Sequence, residues 1–219
     1  MSIIAPSILN SDFLTLGNTI ELLNQSDADW VHLDVMDGSF VPNISFGIPV
    51  VEAVKKVAKK PLDVHLMIVH PEKYIQNFRD AGADWINIHY EACQDNNLKG
   101  VLSDIRNLGA HPAITIKPDT PVEKIFDFIP YVDMVLVMSV FPGFGGQKFI
   151  EDSYTRIENL KKFINKNKAN VLIEVDGGVS TENIANLKSC GVDVFVIGSV
   201  IFKSRDPNHT IARLKQLAE

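Results

Sequence analysis

Eight short apolar, β-branched runs recur along this chain of 219 residues, each followed by a longer polar or amphipathic stretch. That alternation leaves few folds open. The runs are Ile3–Leu9, Trp30–Met36, Leu62–Ile68, Trp85–Glu91, Ala113–Lys117, Met134–Val140, Val171–Asp176 and Val194–Gly198, each about the length of a buried strand. Helical patterns lie between them, among them Pro49–Lys59, Pro71–Ala81, Leu98–Leu108, Pro121–Phe128 and Ser180–Ser189. Several open on Pro, Ser, Thr or Asp, the residues that begin helices.

Within this alternation a second rhythm appears. Ala28-Asp29-Trp30, Ala83-Asp84-Trp85, Val132-Asp133-Met134 and Val192-Asp193-Val194 introduce every second strand, at separations of about fifty residues. Asp at a strand entrance is common turn chemistry, but four recurrences at alternate strands point to a repeated βαβα unit. Gly82 and Gly191 precede two of these segments, placed as helix C-caps. Strict alternation requires a parallel sheet covered on both faces. Polar residues gather at the C-terminal ends of several strands, where a closed barrel builds its site. The expectation is an α/β fold, a (β/α)8 TIM barrel, with residues 1–219 as one domain.

Composition narrows the partners. A hydrophobic share of 46% supplies a sizeable core. The net charge of −6 leaves no basic excess for nucleic acid. Cys93 and Cys190 have no closely spaced Cys partner, which suits idle thiols in a reducing cytosol. Met1–Leu9 shows no basic leader pattern, and no apolar stretch is long enough to span a bilayer. The chain reads as cytoplasmic, with no nucleic-acid or membrane partner.

Several residues are out of place in a core. In Trp30–Met36, alternation puts His32, Asp34 and Met36 on one face and Val31, Leu33 and Val35 on the other. In the third strand Asp63, His65 and Met67 share a face, and the seventh ends with Glu174 and Asp176 on one face. Charged groups inside a barrel are costly unless paired or metal-bound. His32, Asp34, His65 and Asp176 make a two-imidazole, two-carboxylate set suited to Zn²⁺, Fe²⁺, Mn²⁺ or Co²⁺ rather than Ca²⁺. Either histidine alone reads better as a satisfied core residue; four ligands at matching strand ends favour a site.

An anion site is signalled separately. Phe141-Pro142-Gly143-Phe144-Gly145-Gly146-Gln147 follows the sixth strand and is expected to open a helix. Gly177-Gly178 follows the seventh strand, and Gly198-Ser199 ends the eighth. Glycines admit an anion close to backbone N–H groups, and barrel phosphate sites commonly follow strands seven and eight. Met36, Met67 and Met138 near strand ends are ordinary gap-filling core if isolated; beside a metal and two carboxylates they would line a dry roof.

The combination of Ala5-Pro6-Ser7-Ile8-Leu9, His32-Leu33-Asp34-Val35-Met36-Asp37-Gly38, Phe40-Val41-Pro42-Asn43, Asp63-Val64-His65-Leu66-Met67, Pro142-Gly143-Phe144-Gly145-Gly146-Gln147 and Glu174-Val175-Asp176-Gly177-Gly178 resembles the ribulose-phosphate 3-epimerases. The resemblance implies a metal-dependent epimerase interconverting ribulose 5-phosphate and xylulose 5-phosphate, a place in the pentose phosphate pathway, and a homo-oligomer. It implies Asp34 and Asp176 as the acid–base pair and His32, Asp34, His65 and Asp176 as ligands of one divalent metal ion. Ser7, His65, Gly143, Phe144, Gly145, Gly146, Gly177, Gly178, Gly198 and Ser199 would contact substrate, with Met36, Met67 and Met138 lining the site. Two positions depart from the family pattern: Lys117 before Pro118, where Asn is more usual, and Phe141, where a polar residue is more usual.

Epimerisation beside a carbonyl requires a proton taken from one face of a carbon and returned to the other. Two acid–base groups must flank that carbon, with a Lewis acid holding charge on the oxygens of a cis-enediolate. Rival readings are the same chemistry on a hexulose 6-phosphate such as allulose 6-phosphate, an aldol-type or decarboxylating barrel, and a non-catalytic phosphate-binding barrel. His-Leu-Asp on strand two and Asp-Val-His on strand three disfavour the second, since such barrels pair a Lys with an Asp on one strand. A mere phosphate binder would have no use for both aspartates and both histidines.

Overall fold

The computed structural model describes residues 2–93 and 97–219. Eight parallel strands run β1 Ile3–Pro6, β2 Val31–Met36, β3 Leu62–Met67, β4 Trp85–His89, β5 His111–Ile116, β6 Met134–Met138, β7 Leu172–Asp176 and β8 Val194–Ile197. Their order is β1-β8-β7-β6-β5-β4-β3-β2. The seam between β1 and β2 is closed by a parallel bridge from Ser7 to His32 and by Trp30 N–H donating to the Ile4 carbonyl at 3.3 Å. The expected barrel is present.

Helices α1 Leu16–Gln25, α2 Ile48–Val57, α3 Ile75–Asp80, α4 Leu98–Asn107, α5 Ser153–Lys166, α6 Ile184–Cys190, α7 Ser199–Phe202 and α8 Pro207–Leu217 cover the outside. Some differ from the sequence expectation. Pro71–Ala81 splits into a 3-10 turn, Pro71–Lys73, and α3, because Tyr74 between them leaves helical geometry. Pro121–Phe128 is a 3-10 segment spanning Val122–Tyr131. The first strand ends at Pro6, where Ser7 turns the chain and its Oγ accepts from Leu9 N–H at 3.4 Å. The glycine loop after β6 does not itself open a helix: α5 begins only at Ser153. Gly143 (φ +125°) and Gly146 (φ +74°) hold backbone conformations that a right-handed helix excludes.

The fourfold aspartate echo has a structural job. Asp29, Asp84 and Asp193 accept from the backbone N–H of Ile4, Leu62 and Ile173 at 2.7–3.0 Å, tying each even strand to its odd predecessor. Each also pairs with a lysine: Lys215, Lys55 and Lys161 respectively. Asp133 breaks the pattern. Its backbone N–H meets the carbonyl of Pro112, a residue with no N–H to offer in return. Its carboxylate instead binds Arg106 and His111, each at 2.8 Å.

Parity on the strands sorts the side chains as expected. Val31, Leu33, Val35, Val64, Leu66, Ile86, Ile88, Val135, Val137, Ile173 and Val175 join the apolar layer under the helices. The interior begins with a plug of Ala5, Trp30, Trp85, Ala113, Met134, Val194 and Val196, with Trp30 and Trp85 stacked at 4.8 Å. Above it the interior turns polar. His32, Asp63, Asn87 and Glu174 are fully buried, and the mouth lies one residue pair higher.

Candidate active site and metal centre

Register builds the site. β2 and β3 pair His32 with Asp63, Asp34 with His65 and Met36 with Met67, while β6 and β7 pair Met138 with Asp176. Asp34 Oδ1 lies 3.2 Å from both His32 Nε2 and His65 Nδ1. Asp176 Oδ2 reaches within 4.0 Å of His65 Nδ1. One atom from each of these four residues falls within 4.8 Å of the others. Ser7 Oγ–H donates to Asp34 Oδ2 at 2.5 Å.

The donor set fits a divalent ion. Two imidazole nitrogens and two carboxylate oxygens converge, and no Lys or Arg pairs with Asp34 or Asp176 among the described residues. Asp63 Oδ2 lies 2.5 Å from His32 Nδ1 and accepts its proton, leaving Nε2 as the atom facing Asp34; such an outer partner is what orients a ligating histidine. Asn87 donates to the other Asp63 oxygen at 2.5 Å. Glu174, fully buried with both oxygens lacking a donor, sits 3.8 Å from His32 Nδ1. Its burial and the nearby Asp63 push its carboxyl well above the usual range.

The two aspartates are driven in opposite directions. Burial acts to raise both. For Asp34 the charge of His32 and the close approach of the His32 and His65 rings win, holding it well below the carboxylate range. For Asp176 burial is joined by repulsion from Asp34, and its pKa is pushed up to about 7. Like charges this close separate the protonation of a carboxylate pair. At His32 burial is outweighed by Asp34 and Asp63, which raise its pKa. Burial wins at His65, whose pKa falls.

One cavity gathers Ser7, Asp34, Met36, Met67, Met138, Gly143, Phe144, Gly145, Gly146, Asp176, Gly177, Gly178, Gly198 and Ser199. His32 and His65 are fully buried and meet it through Asp34. Gly177 and Gly178 are sterically required: a Cβ on Gly178 (φ +65°) would stand 2.5 Å from Phe149 N, and one on Gly177 (φ +115°) 2.9 Å from Val140 N. Lys117 carries its ammonium over the Phe40 ring at 4.0 Å rather than to a carboxylate. Phe141 lies half exposed on the rim.

Sequence reasoning overlooked several residues. Asn10 lines the cavity and packs between two glycine loops, its amide 2.3 Å from where a Gly198 Cβ would stand. Lys203 brings its ammonium near Gly146. Asn87 and His89 extend the polar interior along β4, and Glu91 continues it in the 3-10 turn that follows. Their signal was the same parity that exposed His32 and Asp34, masked by the dominance of Ile86 and Ile88.

The fold and this site define a parallel β/α barrel with a buried histidine–aspartate centre beside a glycine-lined pocket. The model of the ribulose-phosphate 3 epimerase family matches residues 3–202. The chain is 43% identical over 213 residues to the ribulose-phosphate 3-epimerase of Bacillus subtilis (strain 168), covering 97% of each. It is 42% identical over 216 residues to that of Mycobacterium tuberculosis (strain ATCC 25618 / H37Rv), covering 99% of this chain and 93% of the relative. The chain belongs to the ribulose-phosphate 3-epimerase family. In solved structures, KGPDC from Streptococcus mutans superposes with a TM-score of 0.76 at 13% identity, covering 100% and 97% of the two chains. A 3-hexulose-6-phosphate synthase gives 0.72 at 19%, with full coverage of both. At such identities these two share the fold alone.

Proposed function

We propose that this chain is a metal-dependent epimerase that interconverts ribulose 5-phosphate and xylulose 5-phosphate by proton transfer at C3. The observation that carries the reading is geometric: Asp34 and Asp176 face one cavity from β2 and β7, with His32 and His65 beside them. Asp34 takes the C3 proton from one face, and the acid form of Asp176 returns a proton to the other. The roles exchange for the reverse direction. Ser7 donates to Asp34 and keeps its carboxylate aligned. Met36, Met67 and Met138 exclude water from the reacting carbon. Backbone around Gly177-Gly178, Gly198-Ser199 and Gly143–Gly146 cradles the phosphate. A divalent ion held by His32, Asp34, His65 and Asp176 supplies Lewis-acid stabilisation of the charge developing on the ketone and hydroxyl oxygens.

Relatives named for this reaction and matched over nearly their whole length support this reading over the hexulose alternative. The test is a coupled assay of xylulose 5-phosphate formation with Zn²⁺, Mn²⁺ or Fe²⁺ added, run beside allulose 6-phosphate and a chelator control. Chelator-sensitive turnover of the pentulose is expected; turnover of the hexulose alone would overturn the substrate. No described helix is long and apolar enough to cross a membrane, and a cytoplasmic setting is part of the proposal. So is self-association, supported by exposed Ile44, Val69 and Tyr74 along one apolar groove.

A further inference from the structure

Behind His65 runs a chain of hydrogen bonds that the reaction itself does not use. His65 Nε2 lies 2.9 Å from His89 Nε2. His89 Nδ1 lies 3.1 Å from Glu91 Oε2. Glu91 Oε1 accepts from Lys117 N–H at 2.8 Å and from the Thr120 hydroxyl. His65 and His89 are fully buried, and the contacts leave each ring nitrogen one neighbour to bargain with for its proton.

We propose that His89 and Glu91 are positioning residues that fix the tautomer of His65 and so point its Nδ1 lone pair at the metal position. The inference rests on the metal-site reading above. A carboxylate has no proton to give, so His89 must donate to Glu91 through Nδ1–H. A neutral imidazole has one proton, so His89 Nε2 is then an acceptor. His65 must therefore donate through Nε2–H, which leaves Nδ1 bare and facing Asp34 and Asp176. Full burial of both rings favours the neutral imidazoles that this chain of bonds requires. Burial would raise Glu91, but bonds from His89, Thr120 and the Lys117 backbone hold it down at about 2. Outer partners of this kind set the orientation and basicity of metal-bound histidines.

Glu91→Gln should reverse the whole relay. The Gln carbonyl can keep the Lys117 and Thr120 bonds, which turns its NH₂ toward His89 Nδ1. His89 then donates through Nε2, and His65 is left with its proton on Nδ1, aimed at the incoming cation. The experiment is ¹⁵N–¹H NMR of histidine-labelled full chain at mildly alkaline pH before zinc loading, followed by competitive Zn²⁺ titration. Native protein should show His65 as Nε2–H and His89 as Nδ1–H. Glu91→Gln should show the opposite, with Zn²⁺ affinity down ~10–100-fold. Thr120→Val, which loosens Glu91 without reversing it, should keep the native tautomers and bind Zn²⁺ near-normally. A native His65 protonated at Nδ1, or a Glu91→Gln protein unchanged in tautomer and affinity, overturns the relay. Should Glu91→Gln fail to fold, the native tautomers alone decide. If native protein shows the expected tautomers but takes up no Zn²⁺, the metal reading fails and the relay stands.

Discussion

Asp34→Asn removes one charge from the middle of the site while barely changing its shape. In the native protein Oδ1 faces two imidazole nitrogens at 3.2 Å and Oδ2 takes the Ser7 hydroxyl at 2.5 Å. An amide can keep its oxygen toward the histidines and turn its NH₂ to Ser7, whose hydroxyl accepts as readily as it donates. The fold should survive, and loss of the Asp34 charge should let the Asp176 pKa fall back from about 7. Two functional losses follow. An uncharged ligand weakens metal binding, which added metal can overcome. The missing base cannot be restored: a positioned acid–base group contributes ~10²–10⁴-fold, or ~3–5 kcal/mol of barrier. The coupled epimerase assay, run at saturating metal with thermal melting as a folding control, should show kcat down by that factor in both directions. A folded variant within tenfold of native turnover at saturation would refute Asp34 as a base.

Arg156 donates to the carbonyls of Met138, Lys117 and Thr120 at 2.7–3.2 Å, pinning the ends of β5 and β6; Arg156→Met should cost ~2–4 kcal/mol in urea unfolding, and a loss below ~1 kcal/mol would count against it. Gly178→Ala meets both a positive φ and the Phe149 backbone at 2.5 Å, so it should lose ~1–3 kcal/mol of stability together with substrate affinity; unchanged KM would contradict a phosphate role. His89 titrates near 4 when folded against 6.5 unfolded, so the unfolded chain binds more protons between those values. Stability is full above that window and falls as pH drops through it, by up to ~3 kcal/mol; urea midpoints of native and His89→Asn protein should converge across it, and parallel curves would sink the assignment. Cys93, buried and raised to about 12, should resist alkylation in the folded protein while half-buried Cys190 reacts.

Much of this was legible from strand parity. Every residue of β2 and β3 is buried, so an apolar position says nothing about which way it faces. The polar ones do, because only the interior offers them partners. That is why His32, Asp34, His65 and Asp176 stood out. The same logic covers Asn87 and His89 on β4, but each needed a partner on another strand to be recognised, and Asp63 and His65 became those partners only in the folded barrel. The aspartate echo announced the βαβα repeat, yet its purpose, an N–H clasp between neighbouring strands, required three-dimensional pairing. The loop after β6 was expected to lead into a helix; nothing local separates a glycine-rich helix start from a glycine-rich loop until the φ angles are known. Asn10 carried no pattern, since its place between two distant loops is purely tertiary.

The proposed reaction turns on proton transfer at one carbon by a metal-loaded aspartate pair. The most direct measurement is conversion of ribulose 5-phosphate in D₂O by the purified full chain, with and without exhaustive chelation, read by NMR at C3. Xylulose 5-phosphate carrying solvent deuterium at C3 is expected, lost on chelation and restored by Zn²⁺, Mn²⁺ or Fe²⁺. Product formed at full rate after chelation, or formed without deuterium at that carbon, would contradict it.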